Sequence, residues 1–155
     1  MDQIEAISIF LDKGDVLPNR TLKSPMSNNS MLQDDTEITD EVEIKLYQSD
    51  IGTCNFFSLT TRYDIAYAVS KLGQFSAKPT LGARKALNKV LSYLRSNNNF
   101  TIKGIYAPKE DIISYYSDSD HAGSVPLHTK SHTGVLLMVN RVPYLWKSKK
   151  TAYYS

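Results

Sequence analysis

Apolar side chains recur at helical spacing in four stretches of this chain and alternate along four others. Ile4, Ile7, Phe10 and Leu11 fall on one side of a helix over residues 2–13, which Gly14 and Pro18 stop. A second helix is expected over 41–58, with Val42, Ile44 and Leu46, then Ile51, Cys54, Phe56 and Phe57 as its apolar positions. A third spans 64–75, where Ile65, Val69 and Leu72 share a face. The strongest pattern lies over 80–96: Leu81, Leu87, Val90, Leu91 and Leu94 form a stripe, with Arg84, Lys85 and Lys89 largely outside it. Asn97-Asn98-Asn99 ends that helix. Period-two alternation then predicts strands over 100–106, 111–117, 134–140 and 142–147, with Asn140-Arg141 as the tight turn joining the last two. Residues 18–40, rich in Asn, Ser, Asp and Thr, read as a mobile polar linker. The order, helices first and strands last, defines an α+β chain.

Composition narrows the classes. A chain of 155 residues is long enough for one domain. No apolar run approaches the roughly 18 residues a membrane helix needs, and Met1-Asp2-Gln3-Ile4-Glu5 does not open a secretory signal. The lone Cys54 has no disulfide partner within the chain, fits a reducing compartment and reads as a small buried hydrophobe. The net charge of +2 conceals a polarity along the chain. Residues 1–60 carry eleven acidic and four basic side chains, residues 61–155 five and fourteen. A basic half of this kind suits a phosphate backbone, or merely keeps a surface soluble.

Candidate chemistry centres on Ile112-Ile113-Ser114-Tyr115-Tyr116-Ser117-Asp118-Ser119-Asp120-His121-Ala122-Gly123. A strand delivers Asp118 and Asp120, one residue apart, to the same face at its end. Paired carboxylates suit Mg²⁺, which takes oxygen ligands and keeps several waters; a solvated turn is the plain alternative. His121, His128 and His132 lie close by, but their spacing straddles a loop and makes a weak zinc signal. Arg84, Lys85 and Lys89 are the candidate nucleic-acid contacts.

Several segments together resemble the Pol polyprotein of copia-type long-terminal-repeat retrotransposons. Thr61-Arg62-Tyr63-Asp64-Ile65-Ala66-Tyr67-Ala68-Val69 is similar to that family's T-R-P-D-I-A-Y-A-V, and Pro79-Thr80 followed by 86–94 to its P-T-x-x-H-W-x-A-x-K-R-V-L-R-Y-L. Tyr116-Ser117-Asp118-Ser119-Asp120 matches Y-S-D-A-D, Ser131-His132-Thr133-Gly134 matches S-T-S-G, and Leu145-Trp146-Lys147-Ser148-Lys149-Lys150 matches I-S-W-x-S-K-K. The resemblance is close over 47–150 and loose before, where Leu22-Lys23-Ser24-Pro25-Met26 looks like a variable S-T-P-M linker.

The resemblance implies a junction of two enzymes. It divides the chain into a short amphipathic helix (1–17), a polar linker (18–40), a helical segment like the reverse-transcriptase thumb and connection (41–109), and a truncated ribonuclease H-like segment (110–155) holding that fold's first three antiparallel strands. Asp118 falls on the ribonuclease H domain's first metal-binding carboxylate and Asp120 on a second Asp of the motif. Mg²⁺ serves the parent domain and none is expected to be held here; an RNA–DNA hybrid is the partner that ancestry implies.

The same resemblance argues against catalysis. The family's polymerase motif, Tyr-x-Asp-Asp, lies upstream of this segment, and Asp34-Asp35 follows Leu32-Gln33 without a strand pattern. The chain ends at Tyr153-Tyr154-Ser155, before the family's S-S-x-E-A-E-Y. A two-metal site holds its ions roughly 3.5–4 Å apart with several bridging oxygens, more than one or two carboxylates supply. The motifs also drift: Tyr63 replaces Pro, Ala83 and Arg84 replace His-Trp, His121 replaces Trp, Ser124 replaces Asp and His132 replaces Thr. The expectation is an inactive Pol fragment; the alternatives are a nucleic-acid-binding or interaction module, and a nuclease completed by a partner chain. A three-stranded sheet lacking its covering helices is expected to be marginal and prone to self-association.

Overall fold

The computed structural model describes residues 3–12, 22–26, 32, 34–102, 113–119 and 132–150. They fall into two compact units, one within residues 2–101 and the other within 102–155.

The first unit is helical. α1 (Ile4–Asp12) buries Ile7 and Leu11 in the common core. α2 (Glu41–Thr60) starts at Asp40, whose side chain accepts from the Val42 N–H, and Glu41 and Glu43 complement its N-terminal dipole. Its buried face is Tyr47, Ile51, Cys54, Phe57 and Ser58. Val42, Leu46 and Phe56 lie exposed. The helix is apolar on two sides, and on the inner one the Tyr47 hydroxyl donates to Leu72 O at 2.8 Å. The third expected helix is split: a 3₁₀ turn (Tyr63–Ile65), α3 (Ala66–Leu72) and a second 3₁₀ turn (Gly73–Phe75), with Ile65, Val69 and Leu72 buried as the spacing requires. α4 (Leu81–Ser96) is capped by Thr80, whose hydroxyl accepts from the Ala83 N–H. It buries Leu87, Val90, Leu91 and Leu94, while Leu81 stays exposed in the first turn.

Much of the expected linker is fastened to this unit. Leu22, Met26 and Leu32 pack against the core. Glu37 bridges Thr80, Ile38 N–H donates to Pro79 O, and the Leu81 and Gly82 N–H groups donate to Thr36 O and Asp34 O. The first-turn amides of a helix need outside acceptors; here residues 34–38 provide two of them. A polar composition therefore did not mean a free segment.

The strand expected over 100–106 does not begin where predicted: residues 100–102 are irregular, and 103–106 lie outside the described residues. Phe100 is instead committed to an aromatic contact with Tyr63, ring centroids 5.4 Å apart.

The second unit is an antiparallel meander, β1 (Ile113–Ser119), β2 (His132–Val139) and β3 (Val142–Lys150), in that spatial order. Asn140 and Arg141 adopt φ of 50° and 64°, the two positive angles of a type I′ hairpin. Register sets Tyr115 against Leu137 and Leu137 against Leu145 on one face, Tyr116 against Leu136 and Leu136 against Trp146 on the other. A bulge between Leu137 and Met138 leaves Tyr144 out of the pairing. Apolar side chains thus line both faces, the pattern of a sheet that belongs between two layers. Here Ile113, Tyr115, Tyr116, Tyr144 and Leu145 are exposed. Helices plus an antiparallel sheet make the chain α+β.

Candidate functional site

Asp118 sits at the end of β1, exposed, opposite Gly134. A Cβ on Gly134 would lie 3.9 Å from the Asp118 carbonyl oxygen, so a small residue is accommodated there without being demanded. Since β1 runs through Ser119, the carboxylate is presented from regular strand, as its alternation predicts. His132 opens β2 on the same face, one diagonal step from Asp118, and is buried. Asp120, His121 and His128 lie outside the described residues.

The described strands bring few carboxylates together. Asp118 is the sole carboxylate of the three strands, and no Asp or Glu occurs anywhere in 121–155. Among the described residues no group of three His, Cys, Asp or Glu side chains could hold a metal ion. Two ions need more oxygen ligands than this face offers.

The basic residues of α4 are engaged within the chain. Arg84 Nη1 donates to Asp50 Oδ2 at 2.7 Å and approaches Glu43 at 3.9 Å. Lys85 Nζ lies 3.0 Å from Asp34 Oδ2, and that bond, with one from Thr36, holds the Asp34 carboxyl below its usual range. Lys89 is half-buried on the same helix. The three are brought onto one element, but two of them already face carboxylates.

The most developed polar cluster lies elsewhere, and the Thr61-Arg62-Tyr63-Asp64 motif builds it. The Arg62 side chain is fully buried. Its Nε and Nη2 donate to the two carboxylate oxygens of Asp64 at 3.0 and 2.8 Å, and its Nη1 donates to Asn97 O at 3.0 Å. Tyr93 Oη donates to Asp64 Oδ2 at 2.8 Å. The guanidinium carbon lies 5.6 Å from the Tyr93 ring centroid and 5.0 Å from that of Phe100, within cation–π range. Burial, helped by the bond to Asp64, pushes the Tyr93 phenol up to about 12. The partners of Arg62 named here all lie in the helical unit, so the cluster locks the start of α3 to the end of α4. The opposite charges two residues apart were the available signal; Tyr93 and Asn97, some thirty positions on, carried none.

Cys54 is completely buried in the core. Burial, with the Asp50 charge, pushes its thiol up to about 12, which fits the small buried hydrophobe expected and not a nucleophile. No helix of the described residues is long and apolar enough to cross a membrane.

Comparison with known proteins accounts for the motif order. The chain is 30% identical over 154 residues, 97% of its length, to the retrovirus-related Pol polyprotein from transposon RE1 of Arabidopsis thaliana. It is 29% identical over 91% of its length to that from transposon RE2 of the same plant. It is also 35% identical over 104 residues to the secreted RxLR effector protein 161 of Plasmopara viticola, covering 67% of this chain and 72% of that protein. No family model matches the chain, and no solved structure matches it. The chain belongs to the retrovirus-related Pol polyproteins of copia-type transposons. It spans about a tenth of the two Arabidopsis polyproteins: 10% of RE1 and 9% of RE2.

Proposed function

We propose that this retrotransposon-derived Pol fragment is catalytically inactive by itself, its helical unit a remnant of the reverse-transcriptase thumb and connection and its sheet the first three strands of a ribonuclease H-like fold. The observation that carries the reading is that Asp118 is the one carboxylate on the described strands. Phosphoryl transfer through two metals draws on several carboxylates converging from different elements, and these strands bring one. The sheet's two apolar faces support a place in the middle of a layered fold. The Arg62–Asp64 lock gives the family motif of the helical unit a structural purpose, which persists whether or not chemistry does. An RNA–DNA hybrid remains the partner class that ancestry supports.

The test is incubation of the purified chain with an end-labelled RNA–DNA hybrid in Mg²⁺. Cleavage no greater than that of the Asp118→Asn chain is expected. Cleavage that Asp118→Asn abolishes would overturn inactivity and would show that Asp118 still works, with its missing ligands supplied in another way.

A further inference from the structure

The outer strands of the described sheet are not alike. β3 carries Pro143, Lys147, Lys149 and Lys150, residues that blunt an edge because proline removes a donor and each lysine must be desolvated before another strand can lie alongside. β1, the opposite edge, reads Ile-Ser-Tyr-Tyr-Ser-Asp-Ser. It has no proline, glycine, lysine or arginine, and its tyrosines and isoleucine favour the extended state. Ile113, Tyr115 and Tyr116 are exposed at 68%, 64% and 57%.

We propose that β1 pairs antiparallel with β1 of a second copy of this chain, about a twofold axis through Tyr116, joining two three-stranded sheets into one of six strands. The strand's own charge selects both partner and register. Centred on Tyr116, the pairing sets Tyr116 against its mate, Tyr115 against Ser117, Ser114 against Asp118 and Ile113 against Ser119. The two aromatic rings meet across the axis, a favourable cross-strand pair. Each Asp118 faces a hydroxyl, and the two carboxylates stand four residues apart along the strands, roughly 13 Å. Parallel in-register pairing would instead place them about 4.8 Å apart, one strand spacing, and antiparallel pairing centred on Asp118 would set them face to face. The contact is isologous, so it closes at a dimer with the lysine-guarded β3 edges outward.

Sedimentation equilibrium of the full chain tests this, with Tyr116→Lys to place two like charges across the axis and Tyr144→Lys as a control on β3, where Tyr144 is 73% exposed. The expected result is a dimer that Tyr116→Lys dissociates and Tyr144→Lys leaves intact. Directly opposed residues of an antiparallel pair have Cα atoms about 4.5–5.5 Å apart, within disulfide reach. A Tyr116→Cys chain should therefore form a covalent dimer on mild oxidation, and a Tyr144→Cys chain should not; this arm decides the matter if Tyr116→Lys loses its sheet signal in circular dichroism. A monomer at every concentration, an assembly growing beyond two, a Tyr116→Lys chain that is folded and still dimeric, or equal cross-linking at the two positions would overturn the proposal.

Discussion

Arg62 and Asp64 hold each other through two parallel hydrogen bonds, Nε to Oδ1 at 3.0 Å and Nη2 to Oδ2 at 2.8 Å, with the arginine side chain out of reach of water. The fork of a guanidinium matches the two oxygens of a carboxylate. Neighbouring in sequence, the two close a turn that would otherwise bury a bare charge.

Removing one member strands the other. Asp64→Ala should destabilise the helical unit by about 3–5 kcal/mol, the usual loss when one half of a buried pair is deleted. The pair Arg62→Met with Asp64→Leu should recover most of that, because no charge is left to desolvate. Urea unfolding of Arg62→Met alone, Asp64→Leu alone and the double variant closes the cycle. A double variant as unstable as the two singles combined would mean that packing on Tyr93 and Phe100, not charge pairing, is what matters.

Alkali should destabilise the helical unit. Folded, the Cys54 thiol and the Tyr93 phenol keep their protons to about 12, against ordinary values of 9.0 and 10.0. Above pH 9 the unfolded chain therefore holds fewer protons than the folded one, so stability falls as pH rises. Their contribution is complete below pH 9 and disappears between 9 and 12. Cys54 should resist alkylation at pH 8 and react at once when urea opens the core; ready modification without denaturant would refute its burial.

Arg141 occupies a left-handed conformation, φ 64°, that a side chain disfavours. Arg141→Gly converts the turn to Asn-Gly, the preferred pair for a type I′ hairpin. The sheet should gain about 1 kcal/mol, since a left-handed residue with a Cβ carries a penalty of about 1–2 kcal/mol. A raised thermal midpoint of the sheet signal is the readout.

Lys85→Ala should change stability by less than about 1 kcal/mol, as exposed ion pairs usually do; its partners Lys85 and Asp34 are 67% and 35% exposed. In a titration with an RNA–DNA hybrid, any salt-dependent binding should be nearly the same with and without Lys85, because its charge already faces a carboxylate. A slope reduced by about one, the signature of a lost phosphate contact, would instead show that Lys85 leaves Asp34 for nucleic acid.

What the sequence revealed follows from how local each cause is. α4 was legible because its stripe and its Thr80 cap lie within one segment. α2 was placed to within two residues at its end, but its apolar positions did not say which of them face inward: Ile51, Cys54 and Phe57 are buried while Val42, Leu46 and Phe56 are exposed, and the buried Tyr47, bonded to Leu72 25 positions away, was not among them. β3 runs three residues beyond its expected end because Ser148, Lys149 and Lys150 look like loop and are tolerated on an edge. β1 runs two residues past the end expected at 117, so Asp118 stands on the strand and not just after it. The pairing of Arg84 with Asp50, 34 positions apart, was not, since charge counts along a chain do not say which charges meet.

The strap of residues 34–38 over the start of α4 changes how that helix exchanges with solvent. The opening amides of a helix are ordinarily the first to trade their hydrogens for deuterium, having no carbonyl to hold them. Here Leu81 and Gly82 are held by Thr36 and Asp34, and Ala83 by Thr80. Their clocks are thus set by the opening of a segment some forty positions earlier, and a single peptide-bond cut between 34 and 38 would speed deuterium uptake at 81 and 82 while leaving the Leu87 end of the helix slow.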